Sequence, residues 1–147
     1  MAIMGRILDN VREDMIKRVY SIDPAIYPAV GWNAYESHDP KDETQGHSRS
    51  FTVYTVSSRG VTFGSTSNDF EVIYDLSITY ELGQQWTDAA TDDHEGIVSA
   101  FQRQWTLGTI PTGLDYYIVG DLVLSTGENF QTATIPITAR IVADVRS

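Results

Sequence analysis

Two histidines and four carboxylates crowd one short stretch, "ESHDPKDETQGHSRS" at residues 36–50: Glu36, His38, Asp39, Asp42, Glu43 and His47. Imidazole nitrogens and carboxylate oxygens are ligands for divalent cations, so the stretch is a candidate metal-binding or small enzymatic module. The spacing argues against it. There is no HExxH, no EF-hand register and no carboxylate–histidine frame on a helix or strand. The stretch is polar and aperiodic and carries Pro40 and Gly46, which reads as a long loop. With Lys41 among them, His38, Asp39, Asp42, Glu43 and His47 suit a solvated loop or one that contacts a partner and orders there.

The third histidine, His94, lies in "TDDHEG" near the start of a helical segment. Its acidic neighbours Asp92, Asp93 and Glu95 are explained by the positive end of the helix dipole, which leaves His94 an exposed bystander. General acid–base work needs a nucleophile within reach. The chain has no GxSxG and no cysteine. Its glycines form neither GxGxxG nor a phosphate loop. Trp32, Trp86 and Trp105 could stack on a sugar, but the core has as good a use for them: Trp105 continues a helical stripe and Trp86 caps a strand end. The expectation is no catalytic residue, no metal and no cofactor.

The elements that would position any site follow from periodicity. Residues 2–20 form an amphipathic helix. Met4, Leu8, Val11, Met15 and Val19 make the apolar stripe, and Arg12, Asp14, Lys17 and Arg18 lie on the wet side. Pro24 and Pro28 stop it. Residues 50–58 make a strand, "SRG" a turn, and 61–69 a short strand and polar turn. "FEVIYDLSITYEL" at 70–82 alternates, with Val72, Tyr74, Leu76, Ile78 and Tyr80 on one side. Glu71, Asp75, Ser77, Thr79 and Glu81 form the other, acidic side, and Ile73 intrudes. A helix starts near Thr91, with Asp92 and Glu95 spaced as a capping box and Ile97, Phe101 and Trp105 inward. A strand at 115–126 and a long one at 130–145 close the chain. In the last strand Ile135, Ile137, Ala139 and Ile141 face the core, and Pro136 marks an edge or a bulge.

The order helix, strands, helix, strands implies an α+β fold: an antiparallel twisted β-sheet packed against an N-terminal helix and a central helix, with a long polar loop. A length of 147 residues suits one domain over 1–147, with its sheet-and-helix core at 51–145. The absence of cysteine fits assembly in a reducing cytoplasm. A net charge of −10, with Lys17 and Lys41 the only lysines, argues against gripping a nucleic-acid backbone. No apolar run suits a membrane span, and "MAIMGRILDN" lacks the pattern of a secretory signal.

This succession has a parallel. An opening helix leads into a long loop, then the strand pair "SFTVYTVSS" and "FEVIYDLSITYEL". A helix "DHEGIVSAFQRQW" and strands "GLDYYIVGDLVLS" and "ATIPITARIVADV" complete it. The chain resembles the tail terminator proteins of long-tailed bacteriophages from residue 2 to about 145. The resemblance lies in element order, length and strand style, with no invariant motif. It implies a virion protein made in the host cytoplasm, a homohexameric ring on the tail tube. The ring stops tube polymerisation, joins the tube protein to a neck or head-completion protein, and lets DNA pass unbound. A neck adaptor or head-closure protein is the alternative. On this reading the face of Glu71, Asp75, Ser77, Thr79 and Glu81 meets the DNA channel, which is preferred, or a neighbouring subunit. The 36–50 loop is long and strongly polar, a departure from the resemblance; equivalent loops vary widely in that family, so no partner contact carries over to it residue by residue.

Overall fold

The computed structural model describes residues 2–26, 30–35, 49–62, 68–81, 86–102, 114–127 and 130–143. The elements are α1 (Ala2–Tyr20), β1 (Asn33–Tyr35), β2 (Ser50–Thr62), β3 (Asn68–Glu81), α2 (Trp86–Gln102), β4 (Leu114–Val119), β5 (Val123–Thr126) and β6 (Phe130–Ala143). The fold is α+β, with one sheet against two helices. The strands run in the order β1-β2-β3-β6-β4, and β5 also pairs with β6.

The alternation read in β3 and β6 dictates the layering. Val72, Tyr74, Leu76, Ile78 and Tyr80 are buried, as are Ala133, Ile135, Ile137, Ala139 and Ile141. They share one face because period-two alternation is kept in register across the β3–β6 pair, where Leu76 stands opposite Ile135 and Tyr74 opposite Ile137. Val11, Met15 and Val19 of α1 and Ala90, Ile97 and Phe101 of α2 complete that core. Each large apolar side chain buried there contributes about 1.5–3 kcal/mol. Ser21 ends α1: its amide bonds the Lys17 and Arg18 carbonyls, and its hydroxyl donates to the Arg18 carbonyl at 2.6 Å.

The pairing in the sheet and three element boundaries differ from the sequence reading. First, the sheet is mixed, because β1 runs parallel to β2. Second, "SRG" is no turn. Arg59 and Gly60 pair with Glu71 and Phe70, and β2 runs on through a bulge between Thr55 and Ser57. The ladder offered by the long β3 outweighs the local preference of one glycine. Third, α2 begins at Trp86. Ala89 and Ala90 are buried and extend its stripe upstream, so Asp92 and Glu95 sit inside the helix and cap nothing.

Fourth, the strand expected at 115–126 is two strands, broken between Val119 and Val123. Pro136 explains the break and shows why it is not at an edge. It lies in β6, between β3 and the β4–β5 pair. Its carbonyl accepts the Gly120 amide at 2.7 Å, so its backbone faces β4–β5. Its missing N–H falls where the ladder is interrupted. A Cβ at Gly120 would lie 2.7 Å from Pro136 Cγ and 3.0 Å from its carbonyl oxygen, so only glycine passes there without displacement.

Candidate functional site

The residues expected on the acidic face do share the side of the sheet away from the core, but their exposure is uneven. Glu71 is partly buried and takes Arg140 Nη1 at 3.3 Å, its cross-strand neighbour in β6. Asp75 is partly buried and accepts the Tyr54 hydroxyl at 3.4 Å. Desolvation, and then the charge of Asp75, push the Tyr54 phenol above its usual range. Thr79 is half-buried between Ser50 and Thr132, and Glu81 is exposed. Ser77 departs from the expectation. It is buried, flanked by Thr52 and Thr134 in a row of short side chains, and has little surface to show a partner.

The same face is less polar than β3 alone suggests. Ile73 aligns with Thr138, and Thr138 with Ile118. Ile73 is 37% exposed and Ile118 55%. Beside this row stand Tyr116, opposite Arg140, and Val123, opposite Thr134, both exposed. An apolar row crosses the outer face and is bordered by the Glu71–Arg140 pair. The sequence reading missed it because β4 and β5 contribute half of it, and their facing depends on a break that local pattern does not show.

On the core side, two charged clusters hold the elements together. Arg49 is fully buried. Its Nε donates to Asp93 Oδ2 at 2.9 Å, Nη2 to Asp93 Oδ1 at 3.2 Å and to the Ile26 carbonyl, and Nη1 to the Val30 carbonyl at 2.9 Å. Tyr80 donates to Asp93 Oδ2 at 2.7 Å. Burial, then the Asp93 charge, push the Tyr80 phenol well above its usual range. In the second cluster Asp14 takes Arg18 Nε at 2.8 Å and the Tyr117 hydroxyl at 2.6 Å, while Arg18 Nη1 donates to the Ala100 carbonyl at 2.7 Å. Tyr117 too is raised, by burial first and Asp14 second.

These clusters correct three readings. Asp14 and Arg18 are not on the wet side of α1, and Asp93 is not there merely for the helix dipole. His94 is not a bystander: its Nε2 lies 2.9 Å from the Gly120 carbonyl and ties α2 to the β4–β5 break. One signal was available for Asp93, which stands four residues before Ile97 on the buried stripe. Neither cluster has the form of a reaction centre. The guanidiniums bond carboxylates and carbonyls, and the Tyr80 and Tyr117 hydroxyls beside them donate to Asp93 and Asp14. Trp32 is a core residue that donates to the Ile22 carbonyl at 3.1 Å, and Trp86 packs on Tyr80. Trp105, His38, Asp39, Lys41, Asp42, Glu43 and His47 lie outside the described residues. Among the described residues no group of histidine and carboxylate side chains is placed to hold a metal ion. No described helix is long and apolar enough to cross a membrane. Compared with models of known protein families and with curated proteins, the chain matches none.

Proposed function

We propose that this chain is a structural virion subunit, a bacteriophage tail terminator. Its copies form a ring, by resemblance a homohexamer, at the head-proximal end of the tail tube. The ring ends tube polymerisation, contacts tube protein on one side and a neck protein on the other, and passes DNA without holding it. The observation that carries the reading is the outer sheet face, where Ile73 and Ile118 stay exposed across Thr138 beside the paired charges of Glu71 and Arg140. An exposed apolar row with a polar border is the surface a subunit interface uses. That row supports a subunit contact over the channel for this face, because a water-filled channel gains nothing from Ile73 and Ile118. The charge of −10 is in keeping with a conduit that repels DNA.

The test is to mix the purified protein with tail-tube protein, image it by electron microscopy, and measure mass by light scattering. Rings capping tubes of uniform length are expected. A monomer at every concentration with uncapped tubes overturns the proposal. Glu71, Asp75 and Glu81 changed together to lysine should abolish the ring. A ring that survives the change but passes DNA poorly would instead put this face in the channel.

A further inference from the structure

The two edges of the sheet are unlike. At one, β1 is three residues long. Its Asn33 amide turns inward to the Arg49 carbonyl at 3.0 Å, and its outward amide, that of Ala34, meets the Tyr20 hydroxyl at 2.9 Å. That edge is short and capped. At the other, β4 and β5 pair with β6 alone among the described residues.

Which groups point out of that edge follows from alternation. The Gly120 amide reaches the Pro136 carbonyl, so the even-numbered residues of β6 face β4 and β5. Their partners Ile118 (opposite Thr138) and Val123 (opposite Thr134) spend their backbone groups on β6. The alternate residues Val119, Leu124 and Thr126 point their N–H and C=O groups outward. All four residues of β5 are exposed. Tyr116, Ile118, Val123 and Leu124 are exposed large hydrophobic residues on these two strands. Neither strand carries a lysine, an arginine or a proline. Lysine and proline are among the residues with which proteins blunt an open edge, and the one charge on these strands, Asp115, and the bulge between Leu114 and Tyr116 lie at the start of β4, away from β5.

We propose that the β4–β5 edge is a self-docking site, at which a second copy of this chain lays its own β4–β5 edge antiparallel across a two-fold axis. An open edge is satisfied by another open edge, and the chain carries one that matches its own by symmetry. The contact extends the sheet and brings Tyr116, Ile118 and Val123 of the two copies onto one continuous outer face. A nucleic acid is a poor occupant, since these strands offer no cation. Two copies of charge −10 repel, so added salt strengthens the pairing. The inference is independent of the ring: a two-fold contact closes on two copies, and a ring needs a head-to-tail one.

The test is sedimentation equilibrium on the full chain in low and high salt, with two variants. Leu124→Pro removes an outward N–H and no bond to β6. Ile118→Lys places like charges near each other across the axis. The wild type should dimerise more tightly as salt rises. Each variant should raise the dimer dissociation constant about ten- to a hundredfold with an unchanged circular dichroism spectrum. If one variant misfolds, the other decides. A wild type that stays monomeric, or well-folded variants that pair as tightly as it does, overturns the inference. The ring is judged apart from this on Leu124→Pro, which lies off the Ile73–Ile118 row: tubes capped by a wild type that forms no two-fold pair overturn the inference and leave the terminator reading standing. Dimers that never cap tail tubes do the reverse.

Discussion

A guanidinium in a core has lost its water, and each of its donors has to be met. Arg49 meets this demand with both oxygens of Asp93 and with the carbonyls of Ile26 and Val30. It does so at a backbone φ of 61°, a region that costs a side-chain-bearing residue on the order of 1 kcal/mol. Asp93→Ala removes the counter-charge of the buried cation and leaves it neutral acceptors such as the Ile26 and Val30 carbonyls. Urea denaturation should show a loss of about 3–5 kcal/mol. A loss under about 1 kcal/mol would show that the cation finds water. Gly120 poses a purely steric case. Gly120→Ala drives a methyl into Pro136 and should cost about 1–3 kcal/mol. Gly31→Ala, where a Cβ meets nothing within 4 Å, should stay within about 0.5 kcal/mol in the same titration.

The elements are joined by side chains that local pattern assigns to water. Helix α1 rests on Val11, Met15 and Val19, but its rotation is set by Asp14 and Arg18, which reach Tyr117 of β4 and the Ala100 carbonyl of α2. Tyr117→Phe takes one donor from Asp14, whose Oδ1 has no partner among the described residues. The expected loss is about 1–3 kcal/mol, read from chemical denaturation, with α1 exchanging its amides faster than the rest. Uniform exchange along the chain would mean that α1 does not open separately. The α1 and β3 stripes were legible because each keeps its period over several turns or pairs. The ends of β2 and α2 were not, since partner strands and upstream alanines decide them.

At the scale of the whole molecule, the buried phenols make stability fall in alkali. Tyr80 and Tyr117 are raised above the ordinary tyrosine value of 10.0, each by burial first and a carboxylate second. A raised folded-state value means that the unfolded chain releases these protons first. The stabilisation is then complete below pH about 10 and is lost as pH climbs above it. Each phenol should add about 1.4 kcal/mol per pH unit to the slope. Urea midpoints between pH 9 and 11.5 check this, and Tyr80→Phe should flatten the curve. A curve as steep as that of the wild type would remove Tyr80 from the account.

The sequence alone determined the fold class, the facing of β3 and β6, and the polar outer positions Glu71, Asp75, Thr79 and Glu81. A period of two or of 3.6 is a local property, carried by residues a few places apart. Tertiary structure decided the partners of Arg49 and Asp93, 44 positions apart, the burial of Ser77, and the split of one strand into β4 and β5. It also decided the outer face itself. Ile73 looked like a lone intruder along β3. Only the register of β6 and β4 sets it in line with Ile118 and makes an apolar row of the two, because cross-strand neighbours are distant in sequence and meet only when the sheet forms.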